Sequence, residues 1–457
     1  MSEIPTREMI AKSIDHVSRG LIERDQQARL LVLAAVCGEH LLFIGPPGTA
    51  KSELARRLTE VFGGRFFERL LTRFTVPEEL FGPLSLAALD DGRYERDTDG
   101  YLPTASIVFL DEVFKSNSAI LNALLGVLNE RRFDQGASRI EVPLVSLVGA
   151  SNEIPSEESL QAFQDRFLFR CLVNPVSDEG FEELLESELS QIDFSPRLSE
   201  RGLAGAQSAA SQIGLDKNVR EALLQLREFS RSQQIVISDR RWVRIVRALK
   251  IAAACDGRQS VSIADLYLLQ FMVGEYAEHW QLVLDWILKF LGAATSVDPQ
   301  RLTRVVEAFE RQIDLEAEAS ELAFDDSGKL SLIQGLAGAS DEQTEAAAPR
   351  MSAFSRRKRY SASHIGARIG QIDSVLDQTR EFIEQGTDHR RNLVAQLEEN
   401  LWVPGSFVAR VAATLDQNQA RVTVLCDRLV AVQGAYRALP LAEHDDGNLP
   451  EPVREQA

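Results

Sequence analysis

The chain has 457 residues, 44% hydrophobic and 26% charged, so it is long enough for two or three soluble globular domains. Its net charge of −18 argues against nucleic acid as a general partner, because such binding needs a basic surface. The four cysteines are scattered without metal-binding spacing, and no leader or membrane-length apolar run stands out, so we expect a cytoplasmic protein without a membrane span.

Helices and buried strands alternate through the first third of the chain. Residues 7–38 show helical periodicity, broken by a short polar stretch at 20–24. Apolar runs at 41–45, 106–112 and 144–152 predict three buried strands, with helical patterns between them. This order predicts an α/β fold in which helices cover both faces of a parallel sheet.

Two segments interrupt that alternation. Residues 82–105 contain strand-like pieces around Asp-Asp-Gly and Thr-Asp-Gly turns, and residues 131–143 are predicted to form a β-hairpin. From about 215 to 290 the pattern is wholly helical.

The last third of the chain is predicted to be mainly helical. A WVPG turn at 402–405 separates two long helical patterns and predicts an antiparallel helical hairpin. The predicted order is a helix at 298–325, a linker at about 326–365, helices at roughly 366–401 and 406–437, and a disordered acidic tail at 439–457.

The stretch GPPGTAKS follows the first strand and opens a helix, which is the setting of a phosphate-binding loop. Lys51 would supply a charge for the β- and γ-phosphates, and the Ser52 hydroxyl could ligate Mg²⁺. The general pattern has Gly before this Lys, so we expect Ala50 to be in right-handed helical conformation and Gly48 to have the unusual dihedral. An ordinary strand-to-helix turn is the alternative. The residues expected to hold the nucleotide are Gly45, Pro46, Pro47, Gly48, Thr49, Ala50, Lys51, Ser52 and Leu54.

Polar side chains end the second and third predicted strands. Asp111 would orient Mg²⁺ and its waters, and Glu112 would polarise the attacking water. Asn152 could hold that water or touch the γ-phosphate, although Asn also commonly terminates strands. A capped strand end is the alternative for the two acids.

The motifs GPPGTAKS (45–52), FLDE (109–112), ASNE (150–153) and QDRFLFR (164–170) occur in this order along the chain. At these spacings they resemble the MoxR branch of the AAA+ ATPases, and its RavA-type subgroup (regulatory ATPase variant A) in particular. The resemblance covers roughly residues 10–290. It implies an AAA+ αβα core at 1–200, an all-α lid at 201–292 and a helical (triple-helix or hairpin) C-terminal extension at 293–438.

The resemblance also implies roles for three residues outside the loop. Arg166 is similar to the arginine finger that reaches the γ-phosphate on a neighbouring subunit, with Arg170 as second choice and an Arg166–Asp165 structural pair as alternative. Arg240 is similar to the second sensor of the lid, with Arg241 beside it. Ile22 lies in a segment similar to the one that contacts adenine.

The function implied is a homo-hexameric, chaperone-like motor that uses ATP/ADP and Mg²⁺ and acts on a partner with a von Willebrand factor A (VWA) domain carrying a metal-dependent adhesion site. A nucleotide-gated scaffold with slow ATPase activity is the second hypothesis, and a DNA or RNA motor is disfavoured by the acidic charge. Residues 326–365 lack the strand alternation of the RavA-type β-rich insertion, so a partner bound through that insertion is not expected. The RRKR cluster at 356–359 is predicted to be a solvated patch, or else a contact for an acidic partner.

Overall fold

A computed structural model describes residues 4–136, 138–155, 158–186, 195, 197–274, 276–292, 299–322, 332–333, 352–353, 355–445, 447 and 449–453. The chain divides into two compact units. The first combines Met1–Leu291 with Leu393–Val411, and the second combines Gly292–Asn392 with Ala412–Ala457.

The first unit contains an α/β sheet region followed by a helical region. Its strands are β1 (His40–Ile44), β2 (Phe66–Leu70), β3 (Ile107–Asp111), β4 (Arg132–Gln135), β5 (Ser138–Glu141), β6 (Ser146–Ser151), β7 (Phe167–Leu172), β8 (Gly214–Leu215) and β9 (Ser260–Val261). Its helices are α1 (Arg7–Ser18), α2 (Asp25–Cys37), α3 (Lys51–Phe62), α4 (Pro77–Phe81), α5 (Leu86–Asp90), α6 (Ser118–Glu130), α7 (Glu158–Gln164), α8 (Asp178–Glu186), α9 (Glu200–Ala209), α10 (Lys217–Ser232), α11 (Asp239–Cys255) and α12 (Ala277–Gly292).

Five of these strands form a parallel sheet in the order β2-β3-β6-β1-β7. The three central strands are the ones that the apolar runs predict, and their side chains are buried almost throughout. The sequence analysis does not predict the edge strands β2 and β7. The FFERL sequence of β2 is half exposed and the FLFRCL sequence of β7 carries an arginine, so neither is a plain apolar run.

The predicted hairpin at 131–143 is confirmed as the antiparallel pair β4–β5. The strand-like pieces predicted at 82–105 are wrong for the most part, since this segment contains α5, a 3-10 turn at Leu102–Thr104 and a single bridge between Leu84 and Arg96. The two insertions pack on each other, because Gln135 Nε2 donates to the Arg96 carbonyl at 2.6 Å.

The helical region that follows the sheet contains α10, α11, a 3-10 stretch at Ile263–Phe271 and α12. The prediction of a wholly helical pattern holds here, apart from the two-residue ladder between β8 and β9.

The predicted WVPG turn packs within the first unit. Trp402 is 1% exposed, and its Nε1 donates to the Ala252 carbonyl of α11 at 2.9 Å. Asn400 Nδ2 donates to the buried Asp265 carboxylate at 2.8 Å. The Arg29 guanidinium of α2 donates to the carbonyl beside this turn, at Leu401. The turn therefore contacts both the helices before the sheet and those after it.

The second unit is built on three helices, α13 (Pro299–Glu318), α14 (Ala362–Glu399) and α15 (Gly405–Arg437), and this confirms the predicted helical extension. The latter two helices begin or end in the first unit. Apolar side chains from all three helices form one core: Leu302, Val306 and Phe309 of α13, Ile372 and Leu376 of α14, and Val422, Leu425 and Leu429 of α15. In the described residues no helix is both long enough and apolar enough to cross a membrane.

One prediction for this region needs correction. The predicted linker at about 326–365 is partly structured: β10 (Ser320–Leu322) pairs with β13 (Ser355–Arg357), β11 (Leu332–Ile333) pairs with β12 (Ser352–Ala353), and α14 already begins at Ala362. The RRKR cluster overlaps β13, and Arg357 and Lys358 are exposed, as expected for a solvated patch, while Arg359 is paired with Glu443 at 3.1 Å. Much of 323–351 lies outside the described residues.

The predicted disorder of the acidic tail is wrong over its described residues, which end at 453. Tyr360 N donates to the Pro440 carbonyl at 2.9 Å, and Ala442 N returns a bond to the Tyr360 carbonyl at 2.9 Å. Asp445 accepts from Ser363 N at 3.0 Å, at the start of α14. Asp445 thus caps the start of α14, and backbone bonds to Tyr360 hold the tail beside it.

Candidate functional site

The loop at 45–52 links β1 to α3 at the carboxyl end of the central strand. Gly45 donates its N–H to the Ser151 carbonyl of β6 at 3.0 Å, and a Cβ there would lie 2.1 Å from the Val173 carbonyl oxygen. Only glycine therefore fits at this position. Pro46, Pro47 and Gly48 are exposed, so the crest of the loop is open to a ligand.

The expected conformation of Ala50 is wrong. Both Gly48 (φ +80°) and Ala50 (φ +64°, ψ 24°) adopt left-handed conformations, and Lys51 begins the helix. An L-residue in this region costs roughly 1–2 kcal/mol. Left-handed residues on both sides of Thr49 are typical of the anion-binding turns called nests. Residues 48–50 therefore form a candidate nest, with backbone strain of the kind that functional sites hold.

Lys51 is 6% exposed, and its ammonium lies inside the loop. Nζ donates to the carbonyls of Gly45 at 2.9 Å and Pro46 at 2.7 Å. Burial lowers the pKa of Lys51, while the carboxylates of Asp111 and Glu112 act in the opposite direction. The lysine is thus held beside the acids at the end of β3.

The loop, the β3 acids and Asn152 lie at one edge of the sheet, because β1, β6 and β3 are parallel neighbours in register. Asn152 Nδ2 and Lys115 Nζ both donate to Glu112 Oε1, each at 2.8 Å. Glu112 Oε2 is buried and has no hydrogen-bond partner among the described residues. Glu112 itself is in left-handed conformation (φ 51°, ψ 44°). Its strained backbone and the two donors to Oε1 therefore fix the carboxylate, while Oε2 is left to accept a further hydrogen bond.

The residues predicted to bind Mg²⁺ offer oxygen donors. One Asp111 oxygen accepts from Glu112 N at 3.0 Å, and the Ser52 hydroxyl lies one residue after Lys51 at the start of α3. A carboxylate and a hydroxyl, completed by phosphate oxygens and waters, are the hard ligands that Mg²⁺ prefers. Among the described residues, no cluster of three or more His, Cys, Asp or Glu is suited to hold a metal.

The segment at 20–24 lies beside the loop. Arg24 is 4% exposed, and its Nε donates to the Thr49 carbonyl at 3.1 Å. Leu21 and Ile22 are half-buried and offer apolar surface there, and the adenine contact expected of Ile22 stays a prediction. Leu54 lies in α3 and is fully buried, and its place among the nucleotide-binding residues stays a prediction.

Arg166 lies at the opposite edge of the sheet. It precedes Phe167, which pairs with His40 at the amino end of β1, whereas the loop follows the carboxyl end of β1. For the predicted alternative, a pair with Asp165, the structure gives a different hydrogen-bonded partner, since Asp165 Oδ1 accepts from Arg241 at 3.1 Å, although the Asp165 charge still acts to raise the pKa of Arg166. Arg166 Nε has no hydrogen-bond partner within the described residues. Burial lowers the pKa of Arg166, and the nearby cation of Arg240 lowers it further.

The other arginines of this edge have structural contacts. Arg241 is 4% exposed and donates to the carbonyls of Leu168 and Met272 at 2.9 and 2.8 Å. Arg170, the second choice for a finger, is 2% exposed and donates to the Gly274 carbonyl at 2.7 Å, so it is wrong for that role. Arg240 is exposed and close to Arg166. Of these residues, Arg240 is exposed and Arg166 is half-buried, whereas Arg170 and Arg241 are buried.

The sequence analysis misses two residues of this site. Lys115 looks like an ordinary surface lysine, although its spacing of three from Glu112 in a short turn is a signal in retrospect. Arg24 looks like a solvated charge in a polar break, and nothing in its spacing indicates that it reaches Thr49 and Asn174 across the fold.

Comparison with protein-family models gives two matches. Residues 8–204 match a model described as the MoxR domain in the MoxR-vWA-beta-propeller ternary systems. Residues 218–287 match a model described as an AAA lid domain. The two matches cover the sheet region and the helices that follow it.

Individual proteins agree with these matches. An uncharacterized protein of Methanocaldococcus jannaschii is 40% identical over 59% of this chain and 70% of its own length. The chaperone MoxR1 of Mycobacterium tuberculosis is 28% identical over 38% of this chain and 47% of its own. Among solved structures, a Cytophaga hutchinsonii protein described as a proposed ATPase has the same fold, with a TM-score of 0.50, 18% identity, and coverage of 62% of this chain and 94% of its own.

Proposed function

Because the chain belongs to the MoxR family of AAA+ ATPases, we propose that it binds ATP and Mg²⁺ at the 45–52 loop and hydrolyses ATP to ADP and phosphate. One observation carries this proposal. The nest, the buried Lys51, the Asp111–Glu112 pair and Asn152 converge at the carboxyl edge of three adjacent parallel strands, which is where open α/β sheets bind ligands.

The residues divide the work as follows. Lys51 and the loop N–H groups bind the β- and γ-phosphates, while Ser52 and Asp111 hold the metal, whose charge neutralises developing negative charge when it is bound. Asn152 and Lys115 hold Glu112 Oε1, which leaves Oε2 to accept a hydrogen bond from the attacking water and polarise it.

We propose a homo-hexameric ring in which Arg166 acts on the nucleotide of the neighbouring subunit. The placement of Arg166 at the edge opposite its own loop supports this, because a head-to-tail ring interface brings opposite faces of two copies together. Arg240 shares that edge and is proposed to contact the same neighbouring nucleotide.

The output is proposed to be remodelling or activation of a partner protein with a VWA domain, as in a cytoplasmic chaperone. Its support is the description of the matched family model, which names MoxR-vWA-beta-propeller systems, together with the relative described as a chaperone. Membership of the RavA-type subgroup remains a prediction from the motifs.

A pair of variants tests the ATPase proposal. Glu112→Gln should retain ATP binding with turnover lowered at least a hundredfold, because the amide keeps the shape but polarises water poorly, whereas Lys51→Ala should lose binding itself. Fluorescent-nucleotide titration and phosphate release measure the two steps. Glu60→Gln is the matched control, since Glu60 pairs with His16 on the far part of α3. A Glu112→Gln variant that turns over ATP at the wild-type rate would refute the assignment of Glu112. Slow wild-type turnover that a VWA partner does not accelerate would favour the nucleotide-gated scaffold.

A further inference from the structure

We infer that Arg24 is a positioning residue for the nucleotide, which fixes the segment at 20–24 against the phosphate loop so that base and phosphates are held together. The inference rests on the proposed function. It is carried by the contacts of one buried guanidinium, which the motifs do not include.

Arg24 joins three separate parts of the chain. Its Nε donates to the Thr49 carbonyl at 3.1 Å, one terminal nitrogen donates to the Asn174 carbonyl at 2.8 Å, and the other donates to the Glu23 carbonyl at 2.9 Å. The side chain is 4% exposed. The planar guanidinium suits three divergent acceptors, which a lysine ammonium on a flexible stem does not match.

The bond from Arg24 to the Thr49 carbonyl links Arg24 to the residues that would bind phosphate. Thr49 lies between Gly48 and Ala50, the two left-handed residues of the nest. A phosphate needs N–H groups toward it and carbonyl oxygens engaged elsewhere. Arg24 engages the Thr49 oxygen, in the same way as Lys51 engages those of Gly45 and Pro46.

A second buried arginine holds the other side of the same segment. Arg57 on α3 is 9% exposed and donates to the carbonyls of Val17 and Arg19, just before the segment begins. Arg57 of α3 therefore fixes the chain just before the segment at 20–24. Arg24 fixes the last residue of the segment to the phosphate loop.

The segment is also fixed in conformation. Glu23 adopts a left-handed conformation (φ 57°), and its carboxylate accepts from Ser177 N at 2.9 Å at the start of α8. A Cβ on Gly180 of α8 would lie 2.7 Å from Glu23 Oε1 and 3.2 Å from Ile22 Cγ2. A residue in strained conformation that is fixed by its neighbours, as Glu23 is, is typical of ligand-binding segments. Ile22 is the apolar side chain that this segment would offer to the base.

The test compares ATP with inorganic tripolyphosphate, which has the phosphates but no base. Arg24→Lys keeps the positive charge but cannot donate to all three carbonyls in the directions that the guanidinium does. We expect it to weaken ATP binding about tenfold, to weaken tripolyphosphate binding less than threefold, and to leave kcat at saturating ATP within twofold. Arg57→Lys should give the same ATP-selective loss, and it serves as the second variant where Arg24→Lys does not fold.

Arg368→Lys is the matched control. Arg368 is also buried (5% exposed) and bonded to a carbonyl, that of Glu451, but it lies in the second unit. It should lower thermal stability without changing ATP affinity. Equal weakening of ATP and tripolyphosphate, unchanged ATP affinity in folded Arg24→Lys, or a fall in kcat alone would each overturn the inference. Wild-type protein that binds tripolyphosphate and not ATP would overturn it while leaving the phosphate loop intact, and wild-type protein that binds neither would refute the proposed function itself.

Discussion

Replacement of Arg166 by alanine is predicted to reduce ATP turnover by about 10³–10⁵, the range of arginine fingers, or about 4–7 kcal/mol of transition-state stabilisation. The position of Arg166 in the sheet is the reason for proposing that it acts from another subunit. Five residues of β1 separate the level of Phe167 from the loop, and at roughly 3.3 Å per residue that is about 17 Å. This separation exceeds the length of an arginine side chain, so Arg166 cannot reach the phosphates of its own chain.

Mixing of two inactive variants tests this geometry through the fraction of wild-type ATP turnover that the mixed rings recover. Arg166→Ala subunits keep a working loop and Lys51→Ala subunits keep a working Arg166, so each is inactive alone. In randomly mixed rings at equal amounts, about one quarter of the interfaces pair an intact loop with an intact finger, because the interface is head-to-tail. Phosphate release at saturating ATP should therefore recover to about a quarter of the wild-type rate.

The control and the refuting results follow from the same design. Mixtures of Lys51→Ala with Lys51→Ala,Arg166→Ala subunits contain no complete interface and should stay inactive. Mixed rings that never regain turnover, in conditions where size-exclusion chromatography shows that subunits exchange, would refute the trans assignment. Arg166→Ala that retains more than a tenth of wild-type turnover would also refute it.

Three further changes have defined expectations. Asn152→Ala should lower turnover about 10–100-fold, measured by phosphate release, because a hydrogen bond to the charged Glu112 contributes about 1.5–3 kcal/mol. Burial and nearby arginine charge hold the pKa of His40 well below its usual 6.5, so the folded protein keeps it neutral, and stability present above about pH 6.5 is lost as the pH falls. Urea unfolding of His40→Gln should show a pH slope shallower by up to about 1.4 kcal/mol per unit below pH 6.5. Trp402→Ala should cost about 3–5 kcal/mol of unfolding free energy by urea titration, and Trp402→Phe about 1, the part due to the bond to the Ala252 carbonyl.

Each of these expectations has a contrary outcome. Weakened ATP binding in Asn152→Ala would place that residue on the ground-state phosphate rather than on Glu112. An unchanged pH slope in His40→Gln would mean that His40 takes up its proton in the folded state. Equal costs for the two Trp402 variants would show that the hydrogen bond, not the filled volume, secures the turn.

The nucleotide edge of the sheet could be predicted from sequence because its signals are local. Buried central strands are continuous apolar runs, and a glycine-rich loop or a pair of acids directly after such a run marks the carboxyl edge. Gly45, Lys51, Asp111 and Asn152 therefore lie where their neighbours in the sequence predict.

The errors concern features that depend on distant parts of the fold. Ala50 takes a left-handed conformation that an alanine side chain disfavours, so its own residue type predicts the opposite. In the sequence Arg24 and Arg170 look like solvated charges, but each is buried and donates to a carbonyl more than a hundred residues away. The acidic tail is ordered by its bonds to α14, which composition cannot indicate.

The docking of Trp402 has a practical consequence for anyone dividing this protein. A shortened chain that stops after α12 would retain every nucleotide motif, yet it would leave the Ala252 carbonyl without its indole donor and the Asp265 carboxylate without Asn400. The site vacated by the indole would become wet apolar surface, prone to self-association. A shortened chain should therefore keep residues 393–411, joined to α12 through a linker. If a chain without them is inactive or aggregates, the cause is the loss of the Trp402 contacts and not a defect of the catalytic residues.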